Sequence, residues 1–310
     1  MIFRPTLLKV SNDRLAVYGN NGSSTSSRIE IELRPVAYPI LKWAGGKQWL
    51  AAAARHLVPP LWNGRYYEPF VGGGSFFFAI GPEVATLSDK NQELITTYKA
   101  VREDPEAVIR LLRTYPYNKK FYYQLRARSP RVPHAIAARL LYLNKTCWNG
   151  LYRVNREGKF NTPFGKFKNP TICNSDRLLT ASRLLQTISL NSDDFGDIVS
   201  SVESKDFVYF DPPYVTGHQN NGFLKYNRQL FSWNDQERLA KLAIQLANLH
   251  VNVLVSNADH PAVIELYKGF NYYRIRRQSL IGGQEGSRGK ISEALLSSYP
   301  LLEIKTEVIQ

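Results

Sequence analysis

The stretch that most constrains this chain is Val208-Tyr209-Phe210, followed at once by Asp211-Pro212-Pro213-Tyr214. A continuous run of β-branched and aromatic residues, with no polar alternation, describes a strand covered on both faces, as in a buried parallel sheet. Asp211 then falls at the carboxyl end of that strand. Pro212 and Pro213 have no backbone N–H and fix their φ angles, so the chain leaves in a rigid turn whose carbonyls are open to accept from a ligand. Tyr214 adds a flat face. An acid, a carbonyl and a ring together suit an exocyclic amino group on a planar base: two acceptors for its two hydrogens, and a surface to stack on. A lone Asp-Pro-Pro is ordinary turn punctuation, so the reading draws its weight from what precedes it.

Upstream, Leu41-Lys42-Trp43-Ala44-Gly45-Gly46-Lys47 pairs two glycines with a cation. It is not a P-loop, because Leu41 stands where that motif needs its first glycine and Gln48 where it needs serine or threonine. Tyr66 to Phe70 reads as a strand entering the turn Val71-Gly72-Gly73-Gly74-Ser75, with a helix beginning near Phe76. Phe77 occupies the third glycine position of a dinucleotide fingerprint, which disfavours nicotinamide and flavin cofactors and leaves a smaller nucleoside. The next strand, Val84 to Ser88, ends in Asp89, where an acid reaches ribose hydroxyls in a nucleoside-binding βαβ unit.

From Asn91 to about Leu143 the periodicity is helical, with Asp104-Pro105-Glu106 as an N-cap, N1 proline and first-turn acid ahead of Val108, Leu111 and Leu112. Basic residues, among them Arg126, Arg128, Arg131 and Arg139, interleave with Tyr115, Tyr117, Tyr122 and Tyr123, a pattern that fits phosphate contact as well as a solvated face. Asn144 to Gly165 reads as a β-hairpin with its tip at Arg156–Lys159. Leu151, Arg153 and Asn155 then share one face and Tyr152 and Val154 the other. An aliphatic, an arginine and an asparagine in a row are poor core cover but apt readers of base edges. Beyond it, Thr187 to Leu190 and Val251 to Val255 read as strands, the latter followed by a loop at Ser256-Asn257. Asn234 to Glu237 reads as a capping box opening a helix whose face carries Leu239, Leu242, Ala243, Leu246 and Leu249. Gly282 to Lys290 reads as a mobile basic loop, and Ala294 to Tyr299 as a closing strand. Strands alternating with helices around a basic insert give an α/β, doubly wound sheet with a second domain.

The 310 residues allow one large core or two moderate ones. Lysine and arginine number 40 against 26 acids, a formal charge of +14, and an excess of that size attracts polyanions, nucleic acid before anionic membrane. No run has bilayer-spanning length and Met1 to Val10 carries no signal-peptide core, so a soluble, intracellular protein without membrane attachment is expected. Cys147 and Cys173 are the only cysteines. With no Cys-x-x-Cys pair and no histidine cluster, neither a disulfide framework nor a metal site is expected.

Taken in order, Trp43 to Lys47, Glu68 to Ser75, the Trp148 to Asn155 hairpin and Asp211 to Tyr214 resemble the Dam family (D12 class) of adenine-N6 DNA methyltransferases, from about Leu41 to Tyr299. Gly73 stands where many members have alanine, Trp148 where others have phenylalanine or tyrosine, and the segment from Met1 to Arg34 has no counterpart. The resemblance implies a Rossmann-like doubly wound methyltransferase sheet with an inserted helical plus β-hairpin DNA-recognition domain. Its boundaries are an N-terminal extension and linker at 1–35, a catalytic domain at 36–91 and 175–310, and a target-recognition domain at 92–174. It implies S-adenosyl-L-methionine as cofactor, bound by Trp43, Lys47, Phe70, Gly72, Gly74, Asp89 and Asp211, and catalysis by Asp211, Pro212 and Tyr214. It further implies double-stranded DNA as partner, met by Lys42, Trp148, Asn149, Leu151, Arg153, Asn155 and Lys166. A GATC target is implied, with Arg153 and Leu151 on its far half, Lys42 near the first guanine, and Trp148 wedged where a flipped adenine was. A monomer in the cytoplasm, associated with the nucleoid, is the corresponding expectation.

Two other functions fit parts of the same pattern: an RNA adenine methyltransferase, and a basic DNA-binding protein without turnover. The base-reading face favours DNA, since the major groove of an RNA duplex does not admit such readout. The intact acid, prolines and ring, with the glycine turn, favour an active enzyme.

Overall fold

The structure, a computed structural model, describes residues 6–11, 14–18, 31–32, 36–43, 45–47, 50, 53–60, 62–155, 157–214, 231–278 and 290–301. Its backbone forms a mixed α/β protein in two compact units, one of residues 1–34, 49–70 and 195–310 and the other of 35–48 and 71–194.

In the first unit the strands are β1 (Thr6–Ser11), β2 (Arg14–Tyr18), β3 (Ile31–Glu32), β4 (Tyr66–Glu68), β7 (Phe207–Phe210), β8 (Asn252–Ala258), β9 (Asn271–Gln278) and β10 (Lys290–Ser297), in the order β3-β2-β1-β9-β10-β8-β7-β4. β4, β7 and β8 are parallel, while β10 runs antiparallel to both β8 and β9. The helices are α1 (Ala54–Leu57), α8 (Trp233–Asn248) and α9 (Pro261–Leu266). The central strand β7 shows why its sequence is apolar throughout. Val208 and Phe210 join a core with Leu239, Ala243 and Leu246 of α8 and Val263 of α9. Phe207, one residue out of phase, packs instead with the rings of Trp62, Tyr66 and Tyr299 at 5.5, 5.5 and 6.2 Å. A period of two with both faces covered leaves no position for a polar residue until the strand ends at Asp211.

The second unit holds β5 (Ala85–Ser88) paired in parallel with β6 (Ser189–Asn191), and the helices α2 (Ser75–Ile80), α3 (Gln92–Glu103), α4 (Pro105–Thr114), α5 (Lys119–Ala127), α6 (Pro133–Thr146) and α7 (Ser175–Leu185). Asn91, Asp104, Asn118 and Asn174 each accept a backbone N–H at the start of α3, α4, α5 and α7, a cap that stabilises a helix by about 1 kcal/mol. α6 is buried on nearly every side, through Ala137, Ala138, Leu140, Leu141, Tyr142 and Leu143. Of the tyrosines that sequence associates with phosphate, Tyr122 is buried and donates to the carbonyl of Thr162, while Tyr115, Tyr117 and Tyr123 are half-buried; Tyr142 of α6, buried as well, donates to the carbonyl of Pro116. Arg139 is internal as well, paired with Glu93 at 2.6 Å and donating to the carbonyls of Leu125 and Arg126 at the end of α5.

Several local expectations change. The capping box of α8 is Ser232 with Asp235, not Asn234 with Glu237, because Phe231 is buried among Phe70 and Phe195 and the chain must turn immediately after it. Leu249 lies past the helix end and is exposed. In α4 the buried positions are Ala107, Val108, Ile109 and Leu112, with Leu111 half-exposed. Ser256 and Asn257 are not a loop but continue β8, since Asn257 exchanges two amide hydrogen bonds with Gln236 of α8 and so is satisfied inside. The linker Gly19 to Ser27, Arg156 at the hairpin tip and the stretch Gly282 to Gly289 lie outside the described residues. Among the described residues no helix is long and apolar enough to cross a membrane, and no group of three or more His, Cys, Asp or Glu side chains is placed to hold a metal ion.

Candidate functional site

In the second unit the turn from Val71 to Gly74 is built by its neighbours. Val71 N–H donates to the carbonyl of Ser88 at 3.0 Å, which ties the turn to the end of β5. Gly72 and Gly74 adopt φ of 46° and 65°, a region where side chains are strained. Space is equally restrictive: a Cβ on Gly72 would lie 2.7 Å from Cδ1 of Trp43. Asp89 holds the turn from the other side, accepting from Gly72 N–H at 3.1 Å and Asn91 N–H at 2.9 Å, while Tyr98 donates to the carbonyl of Gly72 at 2.8 Å. Burial raises the Asp89 carboxyl above its ordinary value and the two N–H groups pull against that rise. Lys47 is buried, its ammonium donating to the carbonyl of Gly45 at 2.8 Å.

Next to Trp43, the segment following α6 is arranged around Asn144. Its amide accepts from Lys42 N–H at 2.8 Å, donates to the carbonyl of Lys42 at 2.7 Å and donates to the carbonyl of Gly150 at 3.2 Å. Trp148 to Gly150 form a short 3-10 turn with Asn149 at φ 53°, and Trp148 is 53% exposed. The hairpin expected here is reduced to two isolated antiparallel bridges, Cys147 with Phe164 and Val154 with Phe160. Arg153 is exposed, its Nε donating to Asn161 Oδ1 at 2.8 Å. Asn155 turns the chain, its Oδ1 accepting from the N–H groups of Glu157 and Lys159. Leu151 is half-buried and Lys166 exposed. The residues that the resemblance assigns to the donor, Trp43, Lys47, Gly72, Gly74 and Asp89, thus share one unit with those it assigns to DNA.

Phe70 and Asp211 to Tyr214 belong to the other unit. Phe70 packs among Phe195, Phe210 and Phe231, with ring centroids 5.3 to 6.4 Å away. Asp211 follows β7 and accepts from Ser256 Oγ at 2.6 Å; the same hydroxyl lies 3.0 Å from the hydroxyl of Tyr209. Tyr214 donates to Glu293 Oε2 at 2.7 Å. Burial, then the charges of Glu293 and Asp211, hold the Tyr214 phenol protonated well above its ordinary value.

The sequence model of the D12 class N6 adenine-specific DNA methyltransferases matches residues 43–281. The chain belongs to that family. It is 38% identical over 271 residues to a Type II methyltransferase of Lactococcus lactis subsp. cremoris, covering 84% of this chain and 95% of the relative. It is 32% identical over 262 residues to the DNA adenine methylase of Serratia marcescens, covering 82% and 96%, and 31% identical over 266 residues to that of Escherichia coli K12, covering 84% and 95%.

Three residues of this D12-class methyltransferase escaped sequence reasoning. Ser256 and Glu293 are brought to the Asp211 turn by strand pairing, and Asn144 joins Lys42 to Gly150. The methyltransferase also carries, within its second unit, a cavity of about 470 Å³ lined by Lys42, Lys145, Lys168 and Arg177 with no acid among its lining. Burial, with Arg177 and Lys42 adding repulsion, pulls the Lys145 ammonium down to about 8.

Proposed function

We propose that this methyltransferase moves the methyl group of S-adenosylmethionine onto N6 of an adenine in double-stranded DNA, within GATC. The observation that carries the reading is the Asp211 carboxylate at the end of β7, oriented by the Ser256 hydroxyl and followed by two residues without backbone donors. Adenine N6 is a poor nucleophile because its lone pair is delocalised into the ring. With the Asp211 carboxylate and the Pro212 carbonyl accepting its two hydrogens, the lone pair localises on nitrogen and can attack in line. As the new N–C bond forms, the methyl–sulfur bond would break and neutral S-adenosylhomocysteine would leave, with Asp211 the group placed to take the proton that N6 sheds. Tyr214 supplies the face for a base taken out of the stack.

The donor fits the glycine turn on the chain's own geometry: a turn without Cβ atoms, Trp43 against it, and a carboxylate whose two backbone bonds leave lone pairs for ribose hydroxyls. When bound, S-adenosylmethionine supplies a methyl carbon on a positively charged sulfur. Trp43, Lys47, Phe70, Gly72, Gly74, Asp89 and Asp211 are the residues assigned to it. The reading takes the sheet as Rossmann-like and residues 92–174 as the inserted target-recognition domain, with Lys42, Trp148, Asn149, Leu151, Arg153 and Asn155 toward bases and Lys166 toward phosphate. The exposed ring of Trp148 supports its role as the wedge. The enzyme acts as a site-specific, adenine-specific monomer on nucleoid DNA.

Labelled S-adenosylmethionine, incubated with unmethylated GATC duplex or with structured RNA and followed by nucleoside analysis, tests this. Label is expected in N6-methyldeoxyadenosine, and an Asp211→Ala protein should still bind duplex but transfer nothing. Label in an RNA nucleoside, or near-normal transfer by Asp211→Ala, overturns the reading.

A further inference from the structure

One aromatic pair joins the glycine turn to the base-reading segment. Trp43, whose indole closes the turn at Gly72, stacks on Tyr152 with ring centroids 5.0 Å apart and planes 18° from parallel. Tyr152 stands between Leu151 and Arg153, and its ring packs edge-on with that of Phe160, the bridge partner of Val154, at 5.6 Å. Its hydroxyl donates to Glu93 Oε2 at 3.3 Å. Glu93 lies in the first turn of α3, the helix that starts just after Asp89, and its other oxygen is held by Arg139 at 2.6 Å. Tyr152 is therefore attached on one side to the ring leaning on Gly72 and on another to the helix that follows Asp89.

We propose that Tyr152 is a positioning residue that couples donor occupancy to the reading of DNA. It touches neither reactant; it sets the register of Leu151 and Arg153 according to where Trp43 and the start of α3 sit. The inference rests on the functional reading above, since it needs the donor at the glycine turn and DNA at Leu151 and Arg153. The physical ground is that packed aromatic contacts transmit small displacements instead of absorbing them. Coupling between two sites is reciprocal, so cognate duplex tightens donor binding by the same factor as the donor tightens duplex binding.

The test uses the full chain and S-adenosylhomocysteine, which fills a donor site without reacting. Its affinity is measured by calorimetry with and without saturating GATC duplex, and duplex affinity by fluorescence anisotropy with and without S-adenosylhomocysteine. The wild type should show the same coupling factor, about fivefold or more, from both directions. Tyr152→Phe, which keeps the stack and drops the bond to Glu93, should retain most of it. Tyr152→Leu should bring the factor down toward one, by at least about 2-fold, the smaller end of what one aromatic pair contributes, with each separate affinity and the melting temperature changed far less. Should Tyr152→Leu fail to fold, Tyr152→Met, a flexible side chain of similar reach, gives the same comparison. A folded non-aromatic variant with the wild-type coupling factor overturns the proposal, as does a wild type that binds both ligands with no coupling. A wild type that binds neither ligand sinks the parent reading instead.

Discussion

The hydroxyl of Tyr214 donates to Oε2 of Glu293 across 2.7 Å, pinning the far end of the ring assigned to the flipped base to a buried carboxylate. Glu293→Ala leaves that buried hydroxyl without this acceptor, a loss of about 1–3 kcal/mol. The expected result is a fall of roughly 5- to 150-fold in kcat/KM. Glu293→Gln, which keeps an acceptor oxygen, should stay within a few-fold of wild type. Steady-state methylation of a short duplex by the three proteins decides it, and a Gln variant as impaired as the Ala variant would assign the effect to charge instead of to the anchored ring.

Asp89 accepts two backbone N–H groups of the glycine turn and the following helix, so its removal affects both the site and the fold. Asp89→Ala should weaken S-adenosylhomocysteine binding by about 1.5–3 kcal/mol, the worth of a hydrogen bond to a charged group, and lower the melting temperature. Calorimetry and thermal melting read the two effects separately. Unchanged affinity in a destabilised protein would confine Asp89 to a structural role.

Arg153 is exposed and oriented by Asn161. A bidentate arginine to guanine discriminates by roughly 1–3 kcal/mol, so Arg153→Ala should relax one base position in the consensus recovered from a randomised duplex pool. Lys166→Ala, aimed at phosphate, should weaken all sequences alike and reduce the salt slope by about one contact. An Arg153→Ala enzyme with an unaltered consensus would remove Arg153 as the reader.

Lys145 gives a pH dependence with a definite sign. Its ammonium is pulled down from 10.5 to about 8, so it is cationic at pH 7 and largely neutral at pH 9. Were the basic cavity to meet DNA phosphate, the contribution of Lys145 would be present at the lower pH and lost at the higher. Stability runs the other way. With the folded value below the unfolded one, the folded chain binds fewer protons between about 8 and 10.5, and stability rises with pH across that window. Duplex affinity at pH 7 and 9 should fall more for wild type than for Lys145→Met; identical falls would separate the basic cavity from DNA.

What the sequence made legible follows from how far apart the interacting residues lie. β7 was readable because Val208 and Phe210 face one core and Phe207 another, so every position had to be apolar. The α8 stripe of Leu239, Leu242, Ala243 and Leu246 was readable from its period. Ser256 and Asn257 were not, because a polar pair after an apolar run looks like a loop until Gln236 and Asp211 are seen to satisfy it. The α8 cap was displaced for the same kind of reason: two overlapping capping patterns compete, and the burial of Phe231 selects Ser232. Tyr152 and Glu293 carried no local sign of their partners, which lie 59 and 79 residues away.

Asn144 closes a longer circuit still, bonding the backbone of Lys42 from 102 residues along the chain. A contact of that span forms only after the helices between its ends have condensed, because the loop it closes is entropically expensive beforehand. Interactions made after the transition state slow unfolding without speeding folding. The Asn144 amide thus adds its lifetime to the backbone bonds, Trp148 N–H to the carbonyl of Pro163 among them, that hold the exposed Trp148 turn, and Asn144→Ala should show faster unfolding with refolding unchanged in stopped-flow denaturant jumps.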